Sequence, residues 1–275
     1  MYKYRKIGLV IGISVLAAFV LIAIFSPVLA PYDPYKITGA PLEKPNRNHL
    51  LGTNNMGQDI FSRLVCGTRA TLIVGFGGAL LMVLIGTCVG IISGYYGGKI
   101  DELLTRAVDV VMALPMFPLL IMLAMFLKPS ILTLIFLMGI LGWTGCARII
   151  RSQVLLFSES NFISGVKAIG ASDIYIMVKH VFPNILPLVL VKFVFATQDC
   201  MLMEVGLGFL GLGDPFMIDW GQMINRAYIK GGFALGLWWW LLPPGVSIAF
   251  LSLAVASVGH SFENEINPRL RRMIL

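Results

Sequence analysis

ATLIVGFGGALLMVLIGTCVGIISGYYGG, residues 70–98, runs without a single charge and is dense in Gly, Val, Ile and Leu. A helix needs about 20 consecutive apolar residues to cross the hydrocarbon core of a bilayer, so this stretch reads as a membrane span. The pattern recurs at residues 7–30, 110–127, 130–147, 184–206 and 233–262, which makes six candidate spans. The whole chain agrees: 57% of its 275 residues are hydrophobic and 13% are charged, with mean hydropathy +0.85. Soluble domains carry about 25% charged residues. The surface itself must therefore be apolar, and its solvent is lipid.

The net charge of +7 does not point to nucleic acid. The basic residues form no tract interleaved with aromatics, as a single-strand binder requires. They sit singly between the apolar blocks, as orientation charges do. Cys66, Cys88, Cys146 and Cys200 lie far apart, without the spacing of a zinc site or redox pair. His49, His180 and His260 show no metal spacing either, and no HExxH, GxSxG or paired-carboxylate constellation marks an enzyme.

The first run follows Lys3, Arg5 and Lys6 and exceeds the 7–15 apolar residues of a signal peptide, so it reads as a retained span ended by Pro27, Pro31 and Pro34. Residues 32–69 form the longest polar stretch, with a short helix expected over 56–69 and Asn55 as its N-cap. Lys128 and Pro129 separate spans three and four, which predicts a tight helical hairpin. Residues 207–232 form a Gly-rich connection, and Trp238, Trp239 and Trp240 stand where an aromatic interface belt belongs. With both termini inside, twelve Lys and Arg fall in inner segments and eight in outer ones, the bias that the positive-inside rule expects. The chain divides into residues 1–69, a first span with an extracytoplasmic segment, and residues 70–275, a core with a cytosolic loop at about 150–183.

That loop contains SNFISGVKAIGASDIYIMVKHVFP, residues 160–183. It reads as two short helices joined at a turn. Gly170 suits a left-handed stop, Ser172 caps the second helix, and Asp173 favours its positive end. Ile163, Val166 and Ile169 recur every three residues. Ile174, Met177, Val178 and Val181 share one face, and Pro183 is expected to end the segment. Periodicity alone fits an amphipathic connector lying on the membrane. The sharper alternative is a docking element that seats in a cytosolic partner and transmits rigid-body motion to the spans.

The tract GASDIYIMVKHVFPN, residues 170–184, resembles the EAA loop of ABC importer permeases, in the dipeptide, oligopeptide and nickel branch. Four other pieces resemble the same branch, in the same order along the chain. They are LGTNNMGQDIFSRL (51–64) with Gly67 and Arg69; GYYGG (94–98) with Asp101, Arg106, Asp109 and Pro115; GFLGLG (208–213) with Trp220 and Gly221; and NPRLR (267–271). The resemblance is to the second, C-type permease subunit. It implies an all-α protein of six transmembrane helices with the type I ABC importer permease (MetI-like) fold and both termini cytosolic, in the cytoplasmic membrane of a prokaryote. It further implies a related second permease as heterodimer partner, two cytosolic ATP-binding subunits that carry ATP and Mg, and an extracytoplasmic solute-binding protein. The coupling residues it implies are Ser164, Gly165, Val166, Gly170, Ala171, Ser172, Asp173 and Pro183. Peptides are the first expected solute, nickel or a metal chelate the second, and oligosaccharides the third.

This chain departs from the family pattern in places. Ser164, Gly165 and Val166 replace Glu-Ala-Ala, which removes a carboxylate and weakens the helix at Gly165 by about 1 kcal/mol relative to Ala. Asn54 and Gln58 stand where the family has Asp and Arg.

Lys192, Asp199 and Glu204 interrupt span five. Charges at membrane depth are costly and face a bundle interior or a water path. Asp199 and Glu204 are candidates to line the translocation path, and for Glu204 a structural hydrogen bond between helices is the competing reading. SGYYGGKI (93–100) nearly mimics a P-loop, but Ser93 stands for its first Gly and Ile100 for its Ser or Thr. ATP hydrolysis is therefore expected on other polypeptides. A secondary transporter would show inverted repeats. Neither it nor an inert membrane scaffold accounts for the 170–183 tract.

Overall fold

The computed structural model describes residues 2–266, with side chains from residue 8 to residue 263. NPRLR (267–271) and the orientation charges Lys3, Arg5, Lys6, Arg269, Arg271 and Arg272 lie outside the described side chains. Among the described residues the fold is all helix, apart from one isolated bridge between Thr53 and Asp59. Five helices are long and apolar enough to span: α1 (Tyr2–Leu29), α2 (Ile60–Tyr96), α5 (Ile131–Ser158), α8 (Phe182–Phe209) with the turns that precede it, and α10 (Trp238–Ile266). The sixth candidate is a bent pair, α3 (Gly98–Met112) and α4 (Met116–Phe126), which meet at 76°.

The bend corrects the expectation of one continuous span at 110–127. Pro115 has no N–H to donate and steers Leu114 away from helical geometry, so the helix stops at Met112. The amphipathic α3 stays at one end of the bundle. The eleven residues of α4 reach only about 16 Å at 1.5 Å per residue, roughly half the hydrocarbon core. The short 127–130 connection to α5 bears out the expected hairpin.

α2 is the central post. It starts at Ile60 rather than at residue 70, and its cap is Asp59 rather than Asn55. The Asp59 carboxylate accepts hydrogen bonds from the Ser62 backbone N–H and hydroxyl, each at 2.7 Å. Arg63 and Arg69 are carried on the helix instead of ending it. Further along, Gly86, Gly90 and Gly94 form a GxxxGxxxG stripe against α5. A Cβ on Gly86 would lie 2.7 Å from the Trp143 carbonyl oxygen, one on Gly90 2.8 Å from that of Ala147, and one on Gly94 2.7 Å from that of Arg151. The missing side chains let the two backbones touch. The core that includes this seam buries Val74, Met138, Ile150, Val154 and Leu207.

α1 and α10 pair on the outside of the post, with Gly12 closed against Ala254 and Val258. α1 exposes Val10, Ile11, Leu21, Ile24 and Val28, an apolar wall that only lipid or another subunit can cover. The expected tryptophan belt is corrected to one residue. Trp238 is exposed, while Trp239 and Trp240 are buried in a separate apolar cluster with Trp220 and Leu251. Successive helical residues point about 100° apart, so three in a row cannot share the lipid face.

Candidate functional site

Two ends of the bundle carry polar chemistry. At one end residues 30–59 fold back over the start of α2. Arg63 Nη1 donates to the Pro34 carbonyl and to Gln58 Oε1, each at 2.9 Å. Asn54 Nδ2 donates to the same Gln58 oxygen at 2.8 Å. Asn54 and Gln58, the two departures noted in the sequence, thus form a neutral relay to Arg63 in place of an ion pair. His49 is buried with its Nδ1 2.9 Å from Asp59. The same end holds α9 (Trp220–Ile229), a ten-residue helix inside what reads as a plain Gly-rich connection. Asp219 caps it, accepting from the Gln222 backbone N–H at 2.7 Å, and burial pushes this carboxyl above the usual range. Tyr35 reaches across to donate to the Phe216 carbonyl at 3.0 Å, which joins the two outer segments.

Glu204 lies close behind this end. It is buried, and its carboxylate accepts from the Thr71 hydroxyl at 3.0 Å. That is a bond between α8 and α2 inside the chain's own packing. Asp199, five residues earlier on the same helix, is exposed. Gln198 beside it is tied to Ser252 of α10 at 3.0 Å, so the α8 backbone is anchored while the Asp199 side chain faces out. The structure therefore separates the two carboxylates that the sequence grouped.

At the opposite end lie α6 (Asn161–Ala168) and the four-residue helix α7 (Asp173–Ile176). Gly170 joins them at φ +85°, its N–H donating to the Lys167 carbonyl at 3.0 Å. Ser172 caps α7 through the Tyr175 N–H at 3.3 Å. The turn and cap are those read from the sequence. The continuation is not: Pro183 does not end the segment. A π-helical turn (Met177–Val181) follows α7 and runs straight into α8, so residues 173–209 form one continuous rod. The wider turn is the adjustment by which the rod passes a proline in its first α-helical turn.

The apolar faces also divide differently from the periodicity. Ile163, Ile176 and Val181 are fully buried, with Val166, Ala171 and Met177 packed beside them. Ile169, Ile174 and Val178 point outward at 84%, 69% and 64% exposure, next to Phe162 and Tyr175. The loop is therefore apolar on two sides: one bolts it to the bundle, and the other forms a knob with no cover among the described residues. Ser164, Gly165, Gly170, Ser172 and Asp173 lie on the exposed surface of this loop.

Two ion pairs brace the neighbouring α3, Arg151 to Asp101 and Arg148 to Asp109 at 2.6 Å. Neither pairing was read from the sequence. Its trace was the pair of basic residues three apart after span four, facing two acids eight apart on an amphipathic helix.

Residues 86–272 match the family described as the inner membrane component of binding-protein-dependent transport systems. The chain belongs to that family. Residues 5–50 of this permease also match the N-terminal transmembrane domain of oligopeptide transport permease C. It is 33% identical to the dipeptide transport system permease protein DppC of Alkalihalophilus pseudofirmus, over 98% of this chain and 88% of the relative. It is 32% identical to the oligopeptide transport system permease protein OppC of Bacillus subtilis, with the same coverage, and 30% identical to DppC of Haemophilus influenzae, over 98% and 94%. The permease is a multi-pass membrane component of a transport system, and its family is not one of enzymes.

Proposed function

We propose that this permease is one of two related subunits that form the path of an ATP-driven peptide importer, coupled to cytosolic ATPases through residues 160–183. The observation that carries this reading is the knob of Ile169, Ile174 and Val178, exposed on a loop whose other face is bolted to α2 and α5. An element so built can take a push from a partner and pass it to the spans as rigid-body motion. Peptide as solute is supported by the relatives' names.

In this reading the loop end is cytosolic, and residues 30–59 with α9 face an extracytoplasmic solute-binding protein. ATP and Mg2+ are held by the two ATPase subunits. Their closure draws this loop and its counterpart on the sister permease together, and the spans shift from inward- to outward-facing. Because residues 173–209 form one continuous helical segment, a displacement at Asp173 is passed along it toward Asp199. Asp199 lines the path and meets amine-bearing solute, while Glu204 holds α8 on α2 from behind. The loop's coupling residues are Ser164, Gly165, Val166, Gly170, Ala171, Ser172, Asp173 and Pro183, with Val166 and Ala171 serving on the bolted side.

Reconstitution with the sister permease, ATPases and binding protein tests the reading. Uptake of labelled peptide that requires both ATP and the binding protein is expected. Uptake driven by an ion gradient without ATP would overturn it, and uptake of a nickel chelate or oligosaccharide in place of peptide would overturn the solute.

A further inference from the structure

The docking loop is held at a point that neither the family match nor the motif explains. Tyr95 stands in the last turn of α2 and is 6% exposed. Its hydroxyl donates to Asp173 Oδ1 at 2.7 Å, at the first residue of α7. The Lys167 ammonium of α6 sits over the face of the same ring, 4.4 Å from its centroid, within the range of a cation–π contact. Lys167 and Asp173 bracket the turn at Gly170, so one side chain grips the turn on both sides. The adjacent Gly94 carbonyl accepts from Ser158 Oγ at 3.1 Å, which ties the end of α5 to the same point.

We infer that Tyr95 is the positioning residue that couples the docking loop to the central helix, a latch through which movement of α6 and α7 is delivered to α2. The inference rests on the docking reading above and adds to it the route of the force. α2 is the right recipient. It contacts α5 along the glycine seam and receives Glu204 of α8 on Thr71. In the same last turn of α2 but on another face, Ser93 donates to Asp101 at 2.5 Å, the acid that Arg151 grips. A pull on Tyr95 therefore meets three helices together. A tyrosine that served only to fill space would need neither its hydroxyl on a carboxylate nor a cation on its face.

The test uses the full complex in proteoliposomes, reading peptide imported per ATP hydrolysed. Tyr95→Phe keeps the ring and removes the hydroxyl. Its ATPase subunits should still co-purify, while peptide per ATP falls about two- to tenfold, the range that the net free energy of one hydrogen bond converts to. Lys167→Met removes the cation at an exposed position. It should lower the ratio in the same direction, and it covers the case of a Tyr95 variant that fails to fold. Tyr95→Phe combined with Asp173→Ala should fall no further than Asp173→Ala alone, because both remove the same bond. A wild-type ratio in both Tyr95→Phe and Lys167→Met, or ATPase and uptake falling together in step with the amount of assembled complex, would overturn the latch and leave docking intact. A wild-type complex that binds no ATPase would overturn docking, and the latch with it.

Discussion

Asp59 shows how one side chain can hold an end of the molecule. One carboxylate oxygen caps α2 and the other holds buried His49, whose ring packs 4.9 Å from that of Tyr32. Asp59→Ala should cost about 2–4 kcal/mol, a lost cap together with an unpartnered buried polar group. Thermal unfolding in detergent, followed by tryptophan fluorescence, would read this as a lowered midpoint. Asn55 has the same capping chemistry and lies four residues earlier, so residue type alone could not choose between them. What decides is the return of residues 30–54 onto the helix start, a long-range arrangement with no local signal. Gly165 offers the opposite case. A Cβ there would meet nothing within 4 Å, and the residue lies inside α6. Gly165→Ala should stabilise α6 by up to about 1 kcal/mol, measurable as increased hydrogen-exchange protection over residues 161–168.

At the scale of elements, apolar runs located the helices but not their ends. Residues 70 and 147 read as boundaries because Arg69 precedes the one and Arg148 follows the other. Yet Arg63 and Arg151 find partners on other segments, so both helices run on past the lipid. Charges mark where hydrocarbon stops, not where hydrogen bonding stops. Pro115 and Pro183 look alike in sequence but act oppositely. The first breaks a span, and the second is absorbed by a π turn, which no periodicity reveals. The GxxxGxxxG stripe was legible in the opening stretch as spacing, beneath its reading as mere apolar density. It sets a sharp expectation. Gly90→Leu should separate α2 from α5 and cost at least the 1–3 kcal/mol of ordinary overpacking, because its neighbour is the backbone oxygen of Ala147. Gly145, inside α5 where a Cβ meets nothing within 4 Å, should accept Ala with a melting midpoint no lower than wild type.

At the scale of the whole molecule, the chain leaves broad apolar surface for lipid or another subunit to cover. α1, the α3–α4 bend and the knob on the loop all present apolar surface, including Val28, Phe126 and Ile169 at more than 80% exposure. The multi-span helical fold and the two-helix loop at 160–176 were both legible in the sequence, through hydropathy and through the Gly170, Ser172 and Asp173 turn. The division of the loop into a bolted face and a free face was not, because Ile174 and Met177 are equivalent to a periodicity count and differ only in what lies beside them. Asp199 is an exposed carboxylate on a spanning helix. Asp199→Asn should lower peptide uptake or shift its preference away from cationic peptides while leaving the melting midpoint near wild type. Unchanged uptake and selectivity would remove Asp199 from the path.

The central claim is that residues 160–183 carry the contact with an ATPase. Co-purification of candidate ATPases with wild type and with Gly170→Pro tests it most directly. Proline cannot adopt the φ of +85° at this turn or supply its N–H to the Lys167 carbonyl, and the spans lie outside the change. The account predicts that wild type retains the ATPase and that the variant loses it while staying folded in the membrane. Equal retention by both proteins, or no ATPase on either, would contradict it.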